Sequence, residues 1–187
     1  MTTILDLPEV RELVPRLSVE EYHRLGELGA IERRTELVRG IIIKKVSKSP
    51  LHSSISKRLY DRVLALAPDG YSVWRDDPLT FIDSEPEPDL CVVSGLESHF
   101  TEAHPRTAEL VVEVAVTSAA LDRANASLYA ENGVKEYWIV VAAKKELEIH
   151  RKPQDRLYRE RVVLHGDAVA QCQHLPQIAI PLADIFR

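Results

Sequence analysis

The sequence is poor in the residues that several common chemistries need. It has two cysteines, Cys91 and Cys172, and neither sits in a metal-ligand spacing. Cys91 stands in the apolar run Leu90 to Val93, so it reads as a buried thiol in a reducing, cytoplasmic protein rather than as half of a disulfide. Seven glycines in 187 residues leave little room for a loop that cradles phosphates, and no nucleophile elbow is present. Long apolar runs are missing too. The longest, around Leu110 to Val116 (LVVEVAV), is interrupted by a carboxylate and falls far short of the roughly 20 residues of a membrane span. The start, Met1 to Asp6, has no basic stretch followed by an apolar one, so no secretion signal is expected. Positive charge is not in excess: 24 Lys and Arg stand against 29 Asp and Glu, for a net charge of −5. That argues against a general basic coat for nucleic acid while leaving room for a local basic groove.

What is present is ordinary for a folded soluble domain: 45% hydrophobic and 28% charged residues. The length suits one compact core. Residues 1–16 show no period and read as an N-terminal arm, with a single domain over residues 17–187. Ser18-Val-Glu-Glu21 has the form of a capping box and predicts a short helix to about Leu28. Thr35 to Val46, rich in β-branched residues and punctuated by Gly40, predicts a strand or hairpin arm. After Pro50, Leu51, Ile55, Leu59, Val63 and Leu66 recur at spacings of three and four, the buried stripe of a helix, with His52 and Ser56 on an adjoining face. Strands are expected near Tyr71–Arg75, Leu79–Ile82, from Asp89, from Glu109 to Val116 and from Val134 to Ala142, with Glu146 to His150 returning. A helix capped at Thr117 or Ser118 should run to Glu131 and leave through Asn132-Gly133. This order predicts an α/β (or α+β) fold, one mixed β-sheet flanked by helices.

Chemistry is suggested by one carboxylate in an apolar strand. Glu113 interrupts a run that should be buried on both faces, and burying an unpaired carboxylate costs on the order of several kcal/mol. It needs an arginine, a proton or a metal. Arg75, Arg106 and Arg123 are candidates for a structural ion pair. The alternative is a metal shared with Asp89, which opens the preceding strand after Pro88, where proline favours a strand start. If the two strands are neighbours, Asp89 and Glu113 converge on one cation, and oxygen donors of this kind suit Mg²⁺. Such an ion activates water and neutralises a phosphoryl transition state. The other histidines have no ligand spacing. Tyr137-Trp138 reads as core packing, with base stacking as the alternative.

At this point the chain resembles a known family. ELVRG at Glu36–Gly40, His52 opening a helix, PDLCVV from Pro88, VEV around Glu113, Asp122 to Ala130, and GVKEYWIV from Gly133 to Val140 are similar to the Uma-two family of putative restriction endonucleases, within the PD-(D/E)XK nuclease superfamily. The resemblance spans residues 17 to 183. It implies a restriction-endonuclease-like fold with a four-stranded mixed core, Asp89 and Glu113 as metal-binding acids, and the Val114 carbonyl as a further ligand. It also implies Glu36 and His52 near the site, Mg²⁺ or Mn²⁺ as cofactor, DNA as substrate, no membrane association and a homodimer. There is one departure. The superfamily lysine two residues after the second acid is replaced by Ala115, and the alternative family position, four before Tyr129, holds Asn125. Asparagine can orient water but carries no charge. Lys44 shares strand parity with Glu36 and is a candidate replacement; Lys45, on the other face, is not. The gap implies a weakened or inactive nuclease, or a non-catalytic nucleic-acid- or protein-binding module that kept the fold.

Overall fold

The computed structural model describes residues 7–187. They form two compact units: residues 7–45 with Phe81–Pro86, and Val46–Thr80 with Glu87–Arg187. Residues 1–6 of the expected arm lie outside the described residues. Within the rest of it, Pro8–Leu13 forms a short helix, α1, with proline in its first turn, where the missing amide costs nothing.

In the smaller unit, α2 (Val19–Glu27) begins at the capping box its sequence predicts. The Glu21 amide donates to Ser18 Oγ at 3.1 Å and the Ser18 amide donates to the Glu21 carboxylate at 2.8 Å. The Thr35–Val46 stretch resolves into an antiparallel hairpin of β1 (Thr35–Val38) and β2 (Ile41–Lys44). Its turn residues, Arg39 and Gly40, have φ of +50° and +72°, the left-handed pair that a two-residue hairpin turn requires. A Cβ at Gly40 would also stand 2.8 Å from Arg16 Cβ, so space as well as backbone conformation demands glycine. Leu79–Ile82, expected as a strand, is irregular. The Thr80 amide donates to the Pro105 carbonyl and the Phe81 amide to that of Ser84, so neither enters a ladder. Leu79 and Phe81 are buried; a short apolar run signals burial without signalling the backbone that achieves it.

The larger unit is built around a mixed sheet. It opens with α3 (Pro50–Leu66), capped by Ser49, whose Oγ accepts the His52 amide at 3.2 Å. Six strands follow, adjacent in chain order: β3 (Tyr71–Trp74), β4 (Leu90–Ser94), β5 (Leu110–Ala115), β6 (Glu136–Val141), β7 (Glu146–Gln154) and β8 (Leu157–Leu164). Neighbours are antiparallel except β5 and β6. A parallel pair needs a crossover, and α4 (Ala119–Glu131) provides it, leaving through Gly133 at φ +75°. Ile55, Leu59 and Val63 of α3 pack with Leu90, Val92, Val112, Val114 and Trp138. Strand alternation sends Asp89, Cys91, Val111, Glu113 and Tyr137 to the other face, where the Tyr129 ring of α4 lies 4.7 Å from that of Tyr137. The α4 side also receives a buried charge. Glu148 on β7 accepts Arg123 of α4 at 3.1 Å through Nε and Arg161 of β8 at 2.9 Å. Past β8, β9 (Val169–Gln171) and β10 (Ala179–Pro181) form a small ladder. The closing α5 (Leu182–Phe186) is tied to α3 by Arg58 Nε on the Ile185 carbonyl at 3.0 Å.

Burial works against the Glu148 charge, but the bonds from Arg123 and Arg161 outweigh it and hold the carboxyl at about 2, from an ordinary 4.5. A carboxyl depressed on folding contributes stability above its unfolded pKa, and that contribution is lost as pH falls toward the folded value. Both arginines are about half exposed and screened, which discounts the effect. Glu148→Gln is expected to lower the unfolding free energy by roughly 2–3 kcal/mol at pH 7. In urea titrations the gap to wild type should close between about pH 5 and pH 2.

Candidate active site

The site lies at the end of the sheet where β4 and β5 part. Their ladder ends with Leu90 opposite Val112. One step further the antiparallel register would set Asp89 opposite Glu113, but Pro88 has no amide with which to carry the ladder on. The strands instead exchange side chains for backbone. The Val114 amide donates to Asp89 Oδ2 at 2.8 Å, and the Asp89 amide donates to Glu113 Oε2 at 3.2 Å. The two acids thus stand on neighbouring strands, on the same face, each bonded to the other's strand.

The sequence around each acid explains its setting. Glu113 is half-buried, flanked by fully buried neighbours, and Tyr129 Oη donates to its Oε1 at 3.0 Å. Long side chains on a helix lean toward its N-terminus, which is how Tyr129 reaches back to β5. Asp89 is buried at 7% exposure. His52, on the first turn of α3, places Nε2 2.9 Å from Asp89 Oδ2, and Lys48 places Nζ 2.8 Å from Asp89 Oδ1. Lys48 also bonds the Asp76 carboxylate, just past β3. Asp76 takes a left-handed φ of +61°, which aspartate tolerates better than most residues, and its amide donates to the Pro88 carbonyl at 3.1 Å.

Electrostatics follow from these contacts. Burial opposes ionisation of Asp89, but the bonds and charges of His52 and Lys48 outweigh it and hold the carboxyl below its ordinary value. Burial likewise opposes the Lys48 ammonium, and Asp76 and Asp89 outweigh that, so its pKa is raised. Cys91, on the same face, is buried beside Asp77 and Glu113, and its thiol is pushed up out of reactive range. Two buried polar atoms on α3 have no hydrogen-bond partner among the described residues: His52 Nδ1 and, one turn on, Ser56 Oγ.

Two of the three arginines expected as partners of Glu113 have other contacts. Arg123 binds Glu148; Arg75 lies near Asp76 and over the Tyr60 ring. Asn125 is half-buried on α4, one turn before Tyr129 and on the same face, and makes no side-chain hydrogen bond among the described residues. Ala115 is buried. Glu36 belongs to the smaller unit, on β1 opposite Ile43. Lys44, the replacement the strand parity suggested, is in that unit with its ammonium 2.7 Å from Glu32. Lys48 was not anticipated. It lies in a loop, where no periodicity assigns a direction; the usable signal was its place just before the cap of the helix that carries His52. Among the described residues no three His, Cys, Asp or Glu side chains form a metal cage. Two hard carboxylates are nonetheless the donor set that Mg²⁺ takes while keeping several waters, so the residues present fit such an ion.

Residues 19–183 match the model of the Uma2 family, described as "Putative restriction endonuclease". The fold is similar to the crystal structure of "a putative nuclease belonging to DUF820" from Anabaena variabilis ATCC 29413, with a TM-score of 0.73 at 18% identity, over 87% of this chain and 96% of that one. At that identity the likeness bears on the fold alone. No curated protein matches the sequence. Among the described residues no helix is long and apolar enough to cross a membrane.

The unpartnered Ser56 hydroxyl has a measurable consequence. An unsatisfied buried hydroxyl costs about 1–3 kcal/mol, part of which the smaller alanine recovers. Ser56→Ala is therefore expected to raise the unfolding free energy by up to about 1 kcal/mol. A clear loss of stability in denaturant titrations would show that the hydroxyl is satisfied in solution.

Proposed function

The chain belongs to the Uma2 family, and on that premise we propose that it is a divalent-metal-dependent endonuclease acting on the phosphodiester bonds of DNA, with Asp89 and Glu113 as metal ligands. The observation that carries this reading is the exchange at the end of β4 and β5, which brings two carboxylates together on one face of the sheet. When bound, Mg²⁺ or Mn²⁺ supplies an acidified water and positive charge for a phosphoryl group.

The chain's own groups have separate tasks in this reading. His52 and the Val114 amide both bind Asp89 Oδ2 and so fix the carboxylate plane. Tyr129 fixes Glu113. A strand residue directs its amide and carbonyl toward the same neighbour. The Val114 amide faces Asp89, so its carbonyl would face the same space and add an oxygen ligand. Asn125 would order water from α4. A nucleic-acid substrate is supported by a groove of about 790 Å³ beside β3, whose lining includes Tyr60, Tyr71, Trp74, Arg75 and Phe100. Aromatic faces and arginine are the groups on which bases stack. Tyr137 and Trp138, by contrast, are fully buried and pack the core. Cutting both strands of a duplex takes two such sites, which a homodimer would supply.

Calorimetric titration with Mn²⁺ tests the centre: wild type should bind, and Asp89→Ala combined with Glu113→Ala should not. Supercoiled plasmid incubated with Mn²⁺ should be converted to nicked or linear form by wild type and left intact by that double variant. A wild type that binds no divalent ion, or a double variant that still binds it, removes the basis of the reading.

A further inference from the structure

We infer that Lys48 is the cation this site directs at a substrate phosphate, taking the place of the lysine that Ala115 and Asn125 leave out. This rests on the metal-nuclease reading of Asp89 and Glu113. The geometry is specific. Lys48 Nζ is 2.8 Å from Asp89 Oδ1, so it stands against the proposed metal ligand, where a phosphodiester drawn to the metal would arrive. Its side chain is 30% exposed while that of Asp89 is 9% exposed, so the ammonium is the part of the pair that a ligand can reach.

Lys48 is also held in place from both ends. Its backbone immediately precedes Ser49 and Pro50, which cap and begin α3, and the same helix start carries His52 to Asp89. Its ammonium is tethered a second time by Asp76, which acts as a positioning residue. The need for such a group is local. Asp76, Asp89 and Glu113 line the approach with negative charge, and an incoming phosphodiester adds more. In a chain of net charge −5, the cation has to come from a side chain placed for the task.

Asn125 makes the assignment testable by exchange, because it lies one turn from Tyr129 on the face of α4 that meets Glu113. The experiment compares wild type, Lys48→Met, Lys48→Arg and the pair Lys48→Met with Asn125→Lys, reading plasmid cleavage with Mn²⁺, calorimetric Mn²⁺ affinity and thermal melting. Lys48→Met is expected to lose about 100-fold in cleavage rate, the scale of removing one stabilising donor. Its Mn²⁺ affinity should be unchanged or higher, since Asp89 is released from a competing ammonium. Adding Asn125→Lys should return at least about tenfold of the lost rate. Lys48→Arg keeps both ion pairs and hence the fold, but its planar group cannot set a point charge in the same place, so cleavage should fall about tenfold with Mn²⁺ binding intact.

Wild-type cleavage in Lys48→Met or Lys48→Arg would overturn the assignment while leaving the metal site standing. So would loss of cleavage and Mn²⁺ affinity together in Lys48→Met without rescue by Asn125→Lys, the result for a merely structural ion pair. A wild type that neither binds Mn²⁺ nor cuts would overturn the metal-nuclease reading, and this inference with it.

Discussion

Past the last rung between β4 and β5, the amides of Asp89 and Val114 are each met by a carboxylate from the opposite strand. Everything else at that end of the sheet is arranged around this exchange. A buried amide without an acceptor is costly, so the two acids are tied to the fold before any other role is considered. The exchange also fixes their direction, because an acceptor bound to a strand amide cannot swing away from it. Proline at position 88 has no amide to carry the ladder on, and beyond that point the carboxylates serve as acceptors for the Asp89 and Val114 amides.

The acids concentrate negative charge in a low-dielectric place, and the surrounding structure answers it from three directions. The start of α3 brings His52, the loop before it brings Lys48, and α4 brings the Tyr129 hydroxyl. Lys48 and His52 adjoin in the chain while Tyr129 lies far from both, and they meet because α3 and α4 pack on opposite faces of the same strands. The same solution appears at Glu148, where α4 and β8 each contribute an arginine. The difference is in the partners. Two guanidiniums saturate Glu148 and make it structural, whereas the acids at the strand ends are met by an ammonium, an imidazole, a phenol hydroxyl and two backbone amides.

The elements were legible in the sequence where a local rule is strong. Ser18 and Glu21 announce a capped helix, Gly40 a turn, and the stripe from Ile55 to Val63 the buried side of α3. Asp89 and Glu113 stood out because a charge in an apolar strand and an acid after a strand-opening proline are both unusual. Partners were much less legible. Arg75 and Arg123 were reasonable candidates for Glu113, yet they engage Asp76 and Glu148, because pairing is decided by which faces meet. Lys44 had the correct strand parity but ended on Glu32. Lys48 had no parity at all, since a loop residue acquires its direction only from the cap that follows it. Leu79–Ile82 misled for a related reason: its apolar residues are buried, but its amides pair locally.

The two tryptophans divide the molecule optically. Trp138 is fully buried, with its indole nitrogen 2.9 Å from the Glu136 carboxylate, so its emission reports the dry interior and is shielded from dissolved quenchers. Trp74 is half-exposed at the end of β3, edge-on to Phe100 and two residues from the Asp76 that holds Lys48. Iodide therefore reaches one fluorophore and not the other. The quenchable fraction of the intrinsic fluorescence reads the surface beside the acids, while the remainder serves as an internal reference for the state of the core.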